Sequence, residues 1–234
     1  QDAFDFGPQS PQMRSPLADK GPMSEDCLRL NIFTPAADAA ARPVMVWFHG
    51  GGFEAGSGSQ RVYDGTRLAL RGDVVVVSLN HRLNVFGHCY LGERLGESYA
   101  QAGNVGYLDL IAALRWVRDN IAAFGGDPAN VTIFGQSGGG RKVSLCYAGE
   151  DARGLFQRGI VQSGSHLRVQ APEEATRLTD ALLAALDLGP GDAARLLEVP
   201  MDALSVAQLK VMRETRSRFS PVLDGLAFKD HPFL

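Results

Sequence analysis

Four short runs, 43–48, 74–79, 131–134 and, more weakly, 159–161, are apolar almost throughout. Runs of that kind suit strands buried on both faces, as in a parallel sheet covered by helices. Segment 27–33 differs, because Leu28, Leu30 and Ile32 alternate with Arg29 and Asn31, which predicts a half-buried strand. Between the runs the period lengthens. Leu110, Ile111, Leu114, Val117, Ile121 and Phe124 fall at helical spacing and predict a helix over 105–124, stopped by Gly125-Gly126-Asp127-Pro128. Further helices are predicted after Ser137 through Val143, Leu145 and Cys146, and over 173–187, 191–198 and 202–213. Strand alternating with helix gives an α/β class with a mainly parallel sheet and helices on both faces. No repeat or boundary interrupts the pattern, so 1–234 reads as one domain.

Composition narrows the function without naming it. With 234 residues, 45% hydrophobic, and a formal charge of −3, the chain can build a large core and is not disordered. Its 23 basic residues face 26 acidic ones with no basic run, so neither nucleic acid nor a membrane surface is an expected partner. No stretch approaches the roughly 18 apolar residues of a membrane span. The start has no basic n-region or apolar h-region, so no leader is expected there; it also lacks Met, so the chain is not expected to begin where its gene begins. Cys27, Cys89 and Cys146 are too few for a disulfide scaffold.

Two glycine-rich turns carry the candidate chemistry. The run 131–134 leads into Gly135-Gln136-Ser137-Gly138-Gly139 with a helix behind it. This is G-x-S-x-G in the strand–turn–helix setting that lifts a serine above the sheet edge, near the positive end of a helix. The run 43–48 ends in His49-Gly50-Gly51-Gly52-Phe53, where glycines let backbone N–H groups point at one spot and hold an oxyanion. Gly50-x-Gly52-x-x-Ala55 also fits a dinucleotide fingerprint. That reading needs a helix at once and an acidic residue at the end of the next strand. Here Gly56-Ser57-Gly58-Ser59 and then Ser78-Leu79-Asn80-His81 follow. A Walker motif and a Ser-x-x-Lys pair are both missing.

Ser24-Glu25-Asp26-Cys27-Leu28-Arg29-Leu30-Asn31 resembles the opening signature of type-B carboxylesterases, the cholinesterase-like α/β-hydrolases. Val46 to Phe53, Asn80-His81-Arg82-Leu83, Gly103 to Gly106 with Asp109, Trp116 to Ile121, Phe124 to Pro128, Val131 to Ser137, Gln162 to Ser165 and Pro221 to Gly225 continue the likeness in order. The resemblance implies an α/β-hydrolase fold, incomplete at both ends, and hydrolysis of small carboxylic esters by a Ser–His–Glu triad. It makes Ser137 the nucleophile and gives the oxyanion hole to the N–H groups of Gly51, Gly52 and Gly138. Ser163 matches a serine that supports the triad, and Glu25 an acid usually held in a salt bridge. No metal or organic cofactor is implied. Non-catalytic binding or adhesion relatives exist, but they typically lose the nucleophile or part of the oxyanion loop.

The departures from the family carry expectations of their own. Gln136 replaces a usual Glu beside the nucleophile and removes a charge. Gly138 replaces Ala, which predicts a looser loop and a slightly wider pocket. Arg141 and Lys142 stand where small residues are usual and read as a solvated face, or as partners of an acid near the site. His81 replaces Tyr, Asn84 replaces Gly, and Cys27 lacks an earlier Cys to pair with, so it reads as a buried free thiol. Phe53, Phe86, Leu167 and Phe219 are candidate apolar lining. No convincing base follows Ser137: His166 reads as a rim or surface residue and His231 as an exposed one, while His49, His81 and His88 read as structural. In the family the catalytic Glu and His lie beyond the Pro221–Gly225 block. The chain is therefore expected to be an internal piece of a longer esterase, with little turnover alone and with the rest of the polypeptide as its partner.

Overall fold

The stiff, β-branched Val75, Val76 and Val77 suit a pleated backbone and form the heart of β3 (Val75–Leu79), buried at every position. A computed structural model describes residues 5–13 and 21–233, so part of the N-terminal segment read for a leader lies outside the described residues. β3 joins β1 (Leu30–Phe33), β2 (Arg42–Phe48), β4 (Gly126–Gln136) and β5 (Arg158–Gln162) in one sheet of order β1-β3-β2-β4-β5. β3, β2, β4 and β5 run parallel, and β1 lies antiparallel on β3.

The helices are α1 (Thr66–Gly72), α2 (Asn84–His88), α3 (Gly92–Leu95), α4 (Val105–Asn120), α5 (Gly138–Ala148), α6 (Pro172–Ala185) and α7 (Met201–Thr215). Val44, Val46 and Phe48 of β2 and Val131 and Ile133 of β4 pack with Tyr107, Leu110 and Leu114 of α4 and Val143 and Leu145 of α5. On the opposite face Gly65, just ahead of α1, closes on Val76, and Trp47 packs at a tilt on Tyr63 and edge-on to Phe134. Helices thus flank the sheet on both faces, but unequally. Burial on both faces holds for β3 alone of the parallel strands: β2 and β4 alternate buried with half-buried positions, and β5 is largely exposed. The deep core lies on the α4–α5 face, while the other face has thinner cover.

α4 stops at Asn120, and a 3₁₀ turn, Ile121–Phe124, carries the chain to Gly125, whose φ of 80° is the left-handed exit of a helix. β4 then starts at Gly126, ahead of its apolar run, because Gly126 already pairs with Arg42. The helix expected over 191–198 is a 3₁₀ helix, Pro190–Glu198. With α6 and α7 it forms a second core, where Leu178, Leu182, Val211 and Phe219 meet Val85 of α2. A cavity of about 370 Å³ opens there, lined by Phe86, Leu182, Leu204 and, at one end, Glu25 and Arg82. Phe219, 1% exposed, lies in this second core and cannot line an open pocket, and Phe86 borders this cavity. Among the described residues no helix is long and apolar enough to cross a membrane.

Candidate active site

β4 delivers Ser137 into a turn with φ 56° and ψ −118°, a conformation that costs a non-glycine residue about 1–3 kcal/mol and persists only where packing enforces it. That packing is backbone on backbone. A Cβ on Gly135 would overlap the backbone of Gly139, and one on Gly139 would overlap the Phe48 carbonyl. The Ser137 N–H donates to Gln162 O at the end of β5, 2.8 Å, and Ser137 O accepts from Arg141 N, 3.1 Å. The serine is half-buried at the N-terminus of α5, and among the described residues its hydroxyl has no hydrogen-bond partner.

The loop after β2 lies against this elbow. Gly51 and Gly52 have φ of 89° and 66°, values costly for a residue with a Cβ. Gly51 O accepts from Glu54 N and Ala55 N, at 3.2 and 3.1 Å. Among the described residues the N–H groups of Gly51 and Gly52 meet no backbone acceptor. Gly138 opens α5, where an N–H lacks an intrahelical acceptor. The volume that a methyl on residue 138 would fill is occupied by the N, Cα and O of Gly52. Gly138 therefore gives closer packing of the loop, not the looser loop and wider pocket the sequence suggests. No helix follows the loop until the short turn Arg61–Tyr63, which does not fit the dinucleotide alternative.

Lys142 corrects a second expectation. It is 1% exposed, belongs to no solvated face and meets no acid; its Nζ donates to the carbonyl of His49, 2.9 Å away. Burial pushes its pKa down to about 7. Around it sit three buried histidines. His49 donates through Nδ1 to Gly50 O, 2.8 Å, and stacks on His81 with ring centroids 4.9 Å apart. His81 donates through Nδ1 to Arg82 O, 2.9 Å, and His88 through Nδ1 to Gly103 O, 3.0 Å. Burial, with the charge of Lys142 adding to it, holds His49 and His81 well below the ordinary imidazole range; burial pushes His88 to about 3. All three are buried and tie backbone carbonyls. Arg141, one residue before Lys142, is exposed.

The remaining candidates divide. Asn84 adopts the left-handed φ of 48° that a glycine would, and it ties the chain after the oxyanion loop by donating to Pro11 O and Glu54 O, at 2.8 and 3.2 Å. Cys27 is a buried free thiol, its pKa raised to about 11 by burial. Ser163 has a φ of 53° and sits beside the Gln162 carbonyl that holds the elbow. Leu167 is exposed, whereas Phe53 is buried edge-on to His88 and His166. His166 is half-buried, and burial takes its pKa down to about 4. His231 is half-buried rather than exposed, and its Nδ1 has no partner among the described residues. Glu25 is exposed and forms no ion pair among the described residues. The guanidinium of Arg82 instead takes both oxygens of buried Asp109, at 2.9 and 2.6 Å, because a buried carboxylate needs a partner more than an exposed one does.

A mainly parallel sheet, a strained serine between strand and helix, and a glycine loop packed on that serine define an α/β-hydrolase. The model of the carboxylesterase family matches residues 1–234, and the chain belongs to that family. It is 42% identical over 214 residues to the para-nitrobenzyl esterase of Bacillus subtilis, which covers 89% of this chain and 43% of that protein. It is also 42% identical over 224 residues to the acetylcholinesterase of Electrophorus electricus, covering 90% of this chain and 34% of that protein. A carboxylesterase structure from Geobacillus stearothermophilus superimposes with a TM-score of 0.91 at 49% identity, over 98% of this chain and 47% of that one. The chain spans less than half the length of each of these three relatives.

Proposed function

We propose that this chain carries the nucleophile and oxyanion hole of a serine carboxylic-ester hydrolase for small esters. Ser137 Oγ attacks the ester carbonyl carbon and the negative oxygen turns toward the N–H groups of Gly51, Gly52 and Gly138. The alcohol then departs, and water releases the acid from the acyl-serine. The observation that carries this reading is the strained backbone of Ser137, seated against a loop whose Gly51 and Gly52 N–H groups are free of backbone acceptors.

The base and acid of the triad lie, in this reading, in the polypeptide beyond residues 1–234, which acts as the chain's working partner; Ser163 supports the base. His166 packs its ring on Phe53 and His231 lies in the C-terminal tail, and among the described residues neither is hydrogen-bonded to Ser137. The full-length protein should be labelled by a fluorophosphonate probe at Ser137 and hydrolyse p-nitrophenyl acetate, and Ser137→Ala should lose both. Absence of labelling in the wild-type protein refutes the reading. Residues 1–234 alone should turn over that ester only feebly, since loss of a triad partner costs several orders of magnitude.

A further inference from the structure

The oxyanion loop is held from behind by a residue outside any triad. We infer that Lys142 is a positioning residue for ester hydrolysis, fixing the oxyanion donors through its hydrogen bond to the His49 carbonyl. The inference rests on the serine-hydrolase reading above. His49 O and the Gly50 N–H belong to one peptide plane, and the Gly51 and Gly52 amides follow directly. A donor locked onto that carbonyl fixes the peptide plane from which the Gly51 and Gly52 amides follow, and the close packing of Gly50 and Gly51 on Gln136 O and Ala55 O limits the rotations between.

The lock is rigid on both sides. Lys142 comes from α5, whose first turn is wedged against β2: Gly139 abuts the carbonyls of Phe48 and His49, and Gly138 abuts Gly52. The His49 ring is pinned by its own bond to Gly50 O, its stack on His81, and the close approach of Gly56.

The surroundings of Lys142 argue against a purely architectural role. The titratable groups facing it are His49 at the end of β2, His81 after β3, His88 of α2 and Tyr107 of α4. None supplies a counter-charge, and Phe53, Leu110 and Leu145 complete a dry pocket with no room for a water. A lysine there is costly to stability, and an apolar side chain of the same length would relieve that cost. In return, the Lys142 amine donates to the His49 carbonyl in either protonation state, and its charged form adds positive potential one peptide from the first of the oxyanion amides, inside a water-free wall.

The test is Lys142→Met in the full-length protein, with rates expressed per serine titrated by fluorophosphonate. The expected result is a kcat lowered about 10-fold or more with KM nearly unchanged. Affinity for a trifluoromethyl ketone, whose hemiketal oxygen needs the same donors, should fall by a similar factor while Tm stays level or rises. Lys142→Gln is the second variant. It removes the charge and shortens the reach, and it should show the same split. Wild-type kcat and ketone affinity in either variant overturn the assignment of Lys142. So does a fall in Tm with the rate per titrated serine unchanged, which marks a structural role only. A wild-type protein that neither labels nor turns over ester overturns the esterase reading, and the assignment with it.

Discussion

Around Ser137 the packing is backbone against backbone, whereas between α6 and α7 it is side chain against side chain. At the elbow Gly135, Gly138 and Gly139 let β2, β4 and α5 approach until a single methyl would collide with main chain. In the second core, buried leucines such as Leu178, Leu182 and Leu204 pack beside a half-open cavity of about 370 Å³. A backbone cannot repack around an added atom, while leucines can shift rotamers around a lost one. The elbow should therefore be sensitive in rate and the helical region in stability, and substitutions can separate the two.

The largest effect is expected from Ser137→Ala: kcat should fall on the order of 10⁴-fold or more with Tm intact, as measured by ester turnover and thermal unfolding. Leu182→Ala, at a fully buried α6 position, should lower unfolding free energy by about 2–5 kcal/mol in a denaturant titration. The rate per titrated serine should not change; a proportionate loss of rate would erase the contrast between the regions. Gly138→Ala should cost about 10–100-fold in kcat, because the methyl must displace Gly52 and with it an oxyanion donor. An unchanged rate would show that the loop moves freely.

The remaining effects concern pH. His49, His81 and His88 stay neutral in the folded protein well below the ordinary imidazole value of 6.5. Stability from these residues is complete above pH 6.5 and is lost as pH falls toward 3, because only the unfolded chain takes up the protons. Lys142 acts on the alkaline side. Its folded pKa of about 7 lies below the ordinary 10.5, so its cost is full below pH 7 and fades as pH rises to 10.5. Urea midpoints measured from pH 4 to 10 should show both slopes, and Lys142→Met should abolish the alkaline one while weakening the acid one only in part, since burial is the main cause there.

Much of this was legible in the sequence, because the elbow and the oxyanion loop are local. The G-x-S-x-G run and the His49–Phe53 run each contain the residues that shape them, and the helices expected over 105–124, 173–187 and 202–213 are α4, α6 and α7, with ends shifted by up to four residues. Features set by distant neighbours were not legible. Lys142 looked solvated beside Arg141, yet it stands four residues after Gly138 and three and four before Leu145 and Cys146, on the buried stripe of α5. That spacing was the available signal, outweighed by the charge. The ion pair expected of Glu25 came from the family resemblance alone, and the pair the fold makes nearby, Arg82 with Asp109, spans 27 positions. The short helices α1, α2 and α3 offer too few residues for a period to show.

β5 stands at the outer end of the strand order, with Ile160 and Val161 43% and 42% exposed. Such an edge is a template for another strand. The same strand ends at the Gln162 carbonyl that receives the Ser137 N–H. A strand that pairs with β5 would therefore extend the same strand whose last carbonyl already holds the backbone of the nucleophile.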